Sequence, residues 1–130
     1  LSKVRWLDRT LVLAPVYIGL CRSAEDLKKE MRRLRIPAAD APEFLSGGAT
    51  ASTMTFSNAD NETACIVCIG DVRNHAPTSV AALLVHEAVH VWQEIKRNIG
   101  EATPSSEFEA YAIQRVSQTL MEAFLASEQK

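Results

Sequence analysis

Hydrophobic positions along this chain switch between strand-like alternation and helical spacing, and each switch marks an element. Val12, Val16, Tyr17 and Ile18 make the stretch Leu11 to Leu20 strand-like in composition. Pro15 removes a ladder donor there, so an edge strand is expected. Ser23, with Asp26 three residues on, forms a loose capping box. Leu27, Met31 and Leu34 then follow at i, i+4, i+7, the apolar stripe of an amphipathic helix. Its other face carries Lys28, Lys29, Arg32, Arg33 and Arg35, read as a solvated face rather than a docking site for an acidic partner.

Pro37, Pro42, Gly47 and Gly48 punctuate residues 36–49 as a loop. From Thr50 to Phe56, Ser52, Met54 and Phe56 alternate against threonines, the pattern of a half-buried strand. After the turn residues Asn58-Ala59-Asp60-Asn61 comes Ala64 to Ile69, apolar on both faces and ended by Gly70. The two runs predict a β-hairpin with a well-covered second strand. Pro77, Thr78 and Ser79 open a long helix that Gly100 closes; being apolar nearly all round from Val80 to Val91, it should cross the core. A last helix is predicted from Thr103-Pro104, with threonine as N-cap and proline at the first helical position. Its stripe runs Phe108, Ala112, Val116, Leu120, Phe124. Strands and a helix, a hairpin, then two helices make an α+β fold.

Composition narrows this picture. At 130 residues the chain has room for one domain, residues 1–130, and 47% hydrophobic content suffices for a core without metal or disulfide staples. A net charge of −2 argues against a nucleic-acid binder. The apolar stretch Leu11 to Cys21 is about half of what a bilayer needs, so no membrane span is expected. No charged n-region, apolar h-region and small-residue cleavage site follow one another, so no secretory leader is expected. Three cysteines are too few for a disulfide scaffold, which favours a reducing, cytoplasmic location.

One segment carries candidate chemistry. His86-Glu87-Ala88-Val89-His90 is an H-E-x-x-H motif within the long helix, and it uses two of the chain's 3 histidines. Chance would produce the motif in roughly half a per cent of shuffled chains of this composition. Imidazoles at i and i+4 lie one turn apart on one helix face and can grip a single Zn²⁺. The intervening glutamate can then reach a water at the metal. A hydrogen-bonded, metal-free core cluster is the competing reading, and it is costly without polar neighbours. A catalytic zinc takes three protein ligands, and the last helix offers Glu107 and Glu109 as the third.

His86-Glu87-Ala88-Val89-His90, followed by Glu107-Phe108-Glu109-Ala110-Tyr111, resembles the gluzincin group of zinc peptidases, which pair an H-E-x-x-H helix with a later E-x-x-A-D/N helix. The resemblance covers roughly residues 50–125, and the small size is similar to minimal gluzincins, some carried on bacterial and phage genomes. It implies a zincin-like fold, with a small sheet or hairpin packed on an active-site helix and a long C-terminal helix after it. It also implies a peptide or protein substrate, one Zn²⁺ per chain, His86, His90 and Glu107 as ligands, and Glu87 as general base. Tyr111 stands where the family has Asp or Asn and becomes a candidate hydrogen-bond donor near the metal or the developing oxyanion. In zincins the strand before the helix pairs with extended substrate, which here points to Thr63 to Gly70. Helix geometry separates the two acids by roughly 200°, so only one can face the metal. Glu107 shares a face with Tyr111 and sits in the first turn, where the helix dipole favours a carboxylate. No third histidine of the metzincin kind follows His90, since positions 93 and 96 are Gln and Lys.

The expected function is therefore a zinc metallopeptidase, with a non-catalytic zinc-binding or peptide-binding module as the alternative. Other residues read more plainly. Cys65 and Cys68 form a C-x-x-C on a strand, where residues three apart point to opposite faces, so buried structural thiols are expected, Cys21 included. His75 is expected in a loop and Trp92 in the core.

Overall fold

A computed structural model describes residues 3–7, 16–58 and 60–129. In chain order they form strands β1 (Arg5–Trp6) and β2 (Val16–Cys21), helix α1 (Ala24–Arg33), strands β3 (Ala51–Ser57) and β4 (Thr63–Ile69), and helices α2 (Pro77–Asn98) and α3 (Ser106–Glu128). The fold is α+β, with a mixed sheet in the order β1-β2-β4-β3. β3 and β4 form the expected antiparallel hairpin, while β2 runs parallel to β4.

Two layers of helix cover this sheet. Cys65, Val67 and Ile69 of β4 face α2 and α3, where they meet Leu84, Ala88 and Val91. Ile66 and Cys68 face α1 and meet Leu27 and Met31. Both faces of β4 are dry, which is why its sequence lacks alternation. Ser23 caps α1 as expected, accepting from the Asp26 amide at 3.1 Å. Leu34, however, ends the helix exposed, and Glu30 is buried instead. The last helix starts two residues later than expected: Ser105, not Thr103, is its N-cap, its hydroxyl accepting from the Phe108 amide. Gly100, at φ +73°, closes α2, with its own N–H bonded to Arg97 O and that of Glu101 to Lys96 O.

Three expectations need correction. The stretch read as an edge strand contains β2, which is interior, flanked by β1 and β4; residues 11–15, including Pro15, lie outside the described residues. Thr63 to Gly70 has no free edge, because β2 and β3 occupy both sides of β4; the open edge belongs to β3. And α2 does not cross the core. It lies on the sheet with Val80, Leu84, Ala88, Val91 and Ile95 inward, while Val85, His86 and His90 are exposed. A helix covering one sheet face keeps an outer side in water, however apolar its sequence.

Arg22 clasps the end of this assembly. Its guanidinium donates to the carbonyls of Ile69 and Gly70 at 3.0 Å each, and to Ser127 and Glu128 on α3. It also lies 4.6 Å from the Phe124 ring centroid. Among the described residues no helix is long and apolar enough to cross a membrane.

Candidate functional site

The outer side of α2 and the open edge strand β3 enclose a recess of about 410 Å³. Thr53 and Thr55 form one wall, and His86, Glu87, His90 and Arg97 the other. The alternation read in this strand explains the wall. Met54 and Phe56 turn to the α1 side and pack there, which leaves the intervening threonines facing α2.

Within the recess the two motif histidines converge. His86 Nε2 and His90 Nε2 stand 3.2 Å apart, with the rings edge-on at 4.9 Å between centroids. Gln93 Oε1 lies 3.1 Å from His90 Nδ1 and can only accept from that N–H. With that tautomer His90 Nε2 accepts from a His86 Nε2–H, and a cation binding both nitrogens would take the place of that proton. A tetrahedral zinc with Zn–N bonds of about 2.0–2.1 Å sets two imidazole nitrogens about 3.3 Å apart. The pair fits two corners of such a site.

Glu87 sits beside them but turns inward. It is 4% exposed, and its Oε1 accepts from Thr53 Oγ1 at 2.8 Å. That bond ties the carboxylate to the edge strand and fixes its orientation toward the recess. No local pattern points to Thr53, which is 34 residues away. Gln93 was legible in principle, since i+3 on a helix is contact distance from His90. Glu94 also lines the recess, ion-paired with Arg97.

The acids of the last helix lie elsewhere. Glu109 Oε2 accepts from the Trp92 indole N–H at 2.8 Å and lies 3.9 Å from Lys96 Nζ. Trp92 itself is 1% exposed and meets Phe108 edge-on. Because Trp92 follows His90 by two positions, it points about 200° away around α2. The first turn of α3 is therefore docked on the flank of α2 opposite the histidines. Glu107 and Tyr111 are exposed, Tyr111 at 63%, and neither lines the recess. Among the described residues no group of three His, Cys, Asp or Glu side chains gathers where a metal could be held. The structure thus brings His86, Glu87 and His90 together without Glu107 or Tyr111.

The cysteines behave as the strand geometry requires. All three are buried, with Cys65 and Cys68 in different cores on opposite sheet faces. Burial pushes the Cys65 thiol up to about 11, so it stays protonated and unreactive at neutral pH. Cys21, hydrogen-bonded to Cys68, is shifted down and Cys68 up, as expected of two thiols sharing one proton contact. His75 is exposed in the loop before α2.

No protein-family model, curated protein or solved structure matches this chain.

Proposed function

We propose that this protein is a zinc-dependent metallopeptidase whose reaction takes place between α2 and the open edge of β3. The observation that carries the reading is the convergence of His86 Nε2 and His90 Nε2 at 3.2 Å beside the tethered Glu87 carboxylate. When bound, zinc supplies Lewis acidity, which brings the pKa of a coordinated water toward neutrality. The chain's own residues do the rest. Glu87 accepts the proton of the attacking water and passes it to the leaving amine. Thr53 holds that carboxylate at the level where the edge strand would present a peptide. The free N–H and C=O groups of β3 can pair with an extended substrate, a role that β4 cannot play.

Supporting this reading are the motif, its helical setting and the strand beside it. Glu107, the third ligand that the gluzincin resemblance implies, would have to leave its place on the opposite flank of α2 to reach His86 and His90. The exposed Glu107 carboxylate has no hydrogen bond or ion pair among the described residues, whereas Glu109 is committed to Trp92. Zinc affinity should therefore fall at least about tenfold in Glu107→Ala with an unchanged melting temperature. Glu109→Ala should keep zinc but lose about 1 kcal/mol of stability, because it strands the indole N–H of a buried tryptophan. Metal competition and thermal unfolding of the two variants check this; loss of zinc in Glu109→Ala alone would reverse the assignment.

A second reading is favoured by one observation: Glu107 and Tyr111 lie outside the recess. A two-histidine site without a third protein ligand suits a zinc-binding module that holds a peptide without cleaving it. A library of fluorogenic peptides separates the two. The zinc-loaded protein is expected to cleave at least one member, to stop on chelation with EDTA and to resume on adding zinc. Zinc binding with no turnover of any member would install the second reading in place of the first.

A further inference from the structure

Tyr111, the expected hydrogen-bonding partner near the metal, is 63% exposed on α3 and lies outside the recess. A ligand imidazole nevertheless needs a partner of some kind. A neutral ring carries its one proton on either nitrogen and binds a metal only through the other, so whatever fixes the proton decides which nitrogen is offered.

Such a partner is present on α2 itself. Gln93 follows His90 by three positions, which on a helix is contact distance. Helical side chains lean toward the N-terminus, so Gln93 leans back over His90, and His90 over His86. The contacts follow that lean. Gln93 Oε1 lies 3.1 Å from His90 Nδ1, and His90 Nε2 lies 3.2 Å from His86 Nε2. Gln93, His90 and His86 therefore stand in single file along the outer face of α2, each about one turn from the next.

The amide at the end of the file sets its direction. Its oxygen is an acceptor only, so the His90 proton is drawn to Nδ1, and Nε2 is left bare and facing His86. Turned over, the same amide would donate to Nδ1, put the His90 proton on Nε2 and bar that atom from a metal. Gln93 is exposed and makes no other hydrogen bond among the described residues, so this contact is not a by-product of a structural network. The other end of the file is free. His86 Nδ1 has no hydrogen-bond partner among the described residues and its ring is exposed, so its proton can move from Nε2 to Nδ1 and find water there.

We propose that Gln93 is a positioning residue that prepares His90 for zinc, by holding its proton on Nδ1 and its bare Nε2 toward His86. The inference rests on the zinc reading of the same site. It divides the labour of the two histidines: His90 is preset by Gln93, and His86 is the ligand that changes tautomer when the metal arrives.

The test pairs imidazole nitrogen NMR with zinc competition on the wild type, Gln93→Leu and Gln93→Glu. Leucine keeps side-chain bulk and helix propensity but offers no acceptor, whereas glutamate keeps an acceptor oxygen at the same reach. In the metal-free wild type, in mildly alkaline buffer, His90 is expected to be protonated at Nδ1 and His86 at Nε2. Zinc should leave the His90 proton in place and move that of His86 to Nδ1. In Gln93→Leu the His90 preference should disappear, and zinc should bind about 10- to 100-fold more weakly at an unchanged melting temperature. Gln93→Glu should restore the tautomer and most of the affinity. His90 protonated at Nε2 in the wild type overturns the proposal. So does a Gln93→Leu variant that binds zinc as tightly as the wild type, or one that only melts earlier with the His90 tautomer unmoved. Those results leave the zinc reading standing. A wild type that takes up no zinc overturns that reading and this inference together, so the two failures are distinguishable.

Discussion

Replacing either motif histidine by alanine is expected to strip the protein of zinc. Wild-type protein should carry close to one zinc per chain, and His86→Ala or His90→Ala should each weaken binding by about 100-fold or more. Disturbing only a residue that orients a ligand already costs about 10–100-fold. The two nitrogens are 3.2 Å apart, so removing one leaves a lone imidazole with no chelate partner. The fold should be indifferent to these changes. Both rings are exposed on the outer side of α2, and alanine is the better helix former. Zinc should accordingly raise the melting temperature of the wild type, by about 2.7 kcal/mol of stability at a hundredfold excess over Kd, and leave both variants unmoved. Elemental analysis paired with thermal unfolding reads both effects. Full zinc occupancy in the double alanine variant would place the metal elsewhere.

Glu87→Gln is expected to retain zinc and lose peptide turnover by about 10²- to 10⁴-fold, the range over which a positioned general base acts. The substitution is well controlled by its surroundings. Thr53 Oγ1 donates to Glu87 Oε1 at 2.8 Å, and an amide oxygen accepts that bond equally well. Shape, burial and orientation are retained, and only the capacity to take a proton is lost. Stability should change by less than about 1 kcal/mol, since a buried acceptor keeps its donor. Turnover equal to wild type in the zinc-loaded variant would remove Glu87 from the mechanism.

Local signals made much of this fold legible. The Ser23 cap, the β3–β4 hairpin, the doubly covered β4 strand and the stripe of α3 all rest on contacts within a few residues or on burial pattern alone. Partners chosen across the chain were not legible. Composition could not reveal that β2 inserts parallel to β4, or that β3 is therefore left at the edge. The run from Val80 to Val91 misleads because an apolar helix resting on a sheet reads like one passing through a core. That error also weakens one argument for metal. The histidines are exposed, so no burial cost compels them to find partners, and their convergence carries the inference instead. At the site, the spacing of His86, Glu87 and His90 was sufficient because a helix fixes i and i+4. The direction of Glu109 was not, because it depends on which flank of α2 the first turn of α3 meets, and the Trp92 indole N–H decides that.

The Arg22 clasp orders events in time. The β3–β4 hairpin closes a short turn, so it can form within microseconds and waits for nothing else. Arg22 bonds to Ile69 across 47 residues and to Ser127 across 105, so its contacts form only after most of the chain has been gathered. Loop closure of that length is costly before it is rewarded, so the clasp is expected to form after the folding barrier is crossed. Its bonds therefore act as a brake on unfolding and contribute little to the rate of folding. Removing the clasp with Arg22→Ala is therefore expected to speed unfolding more than it slows folding, at the junction of β2, β4 and the end of α3.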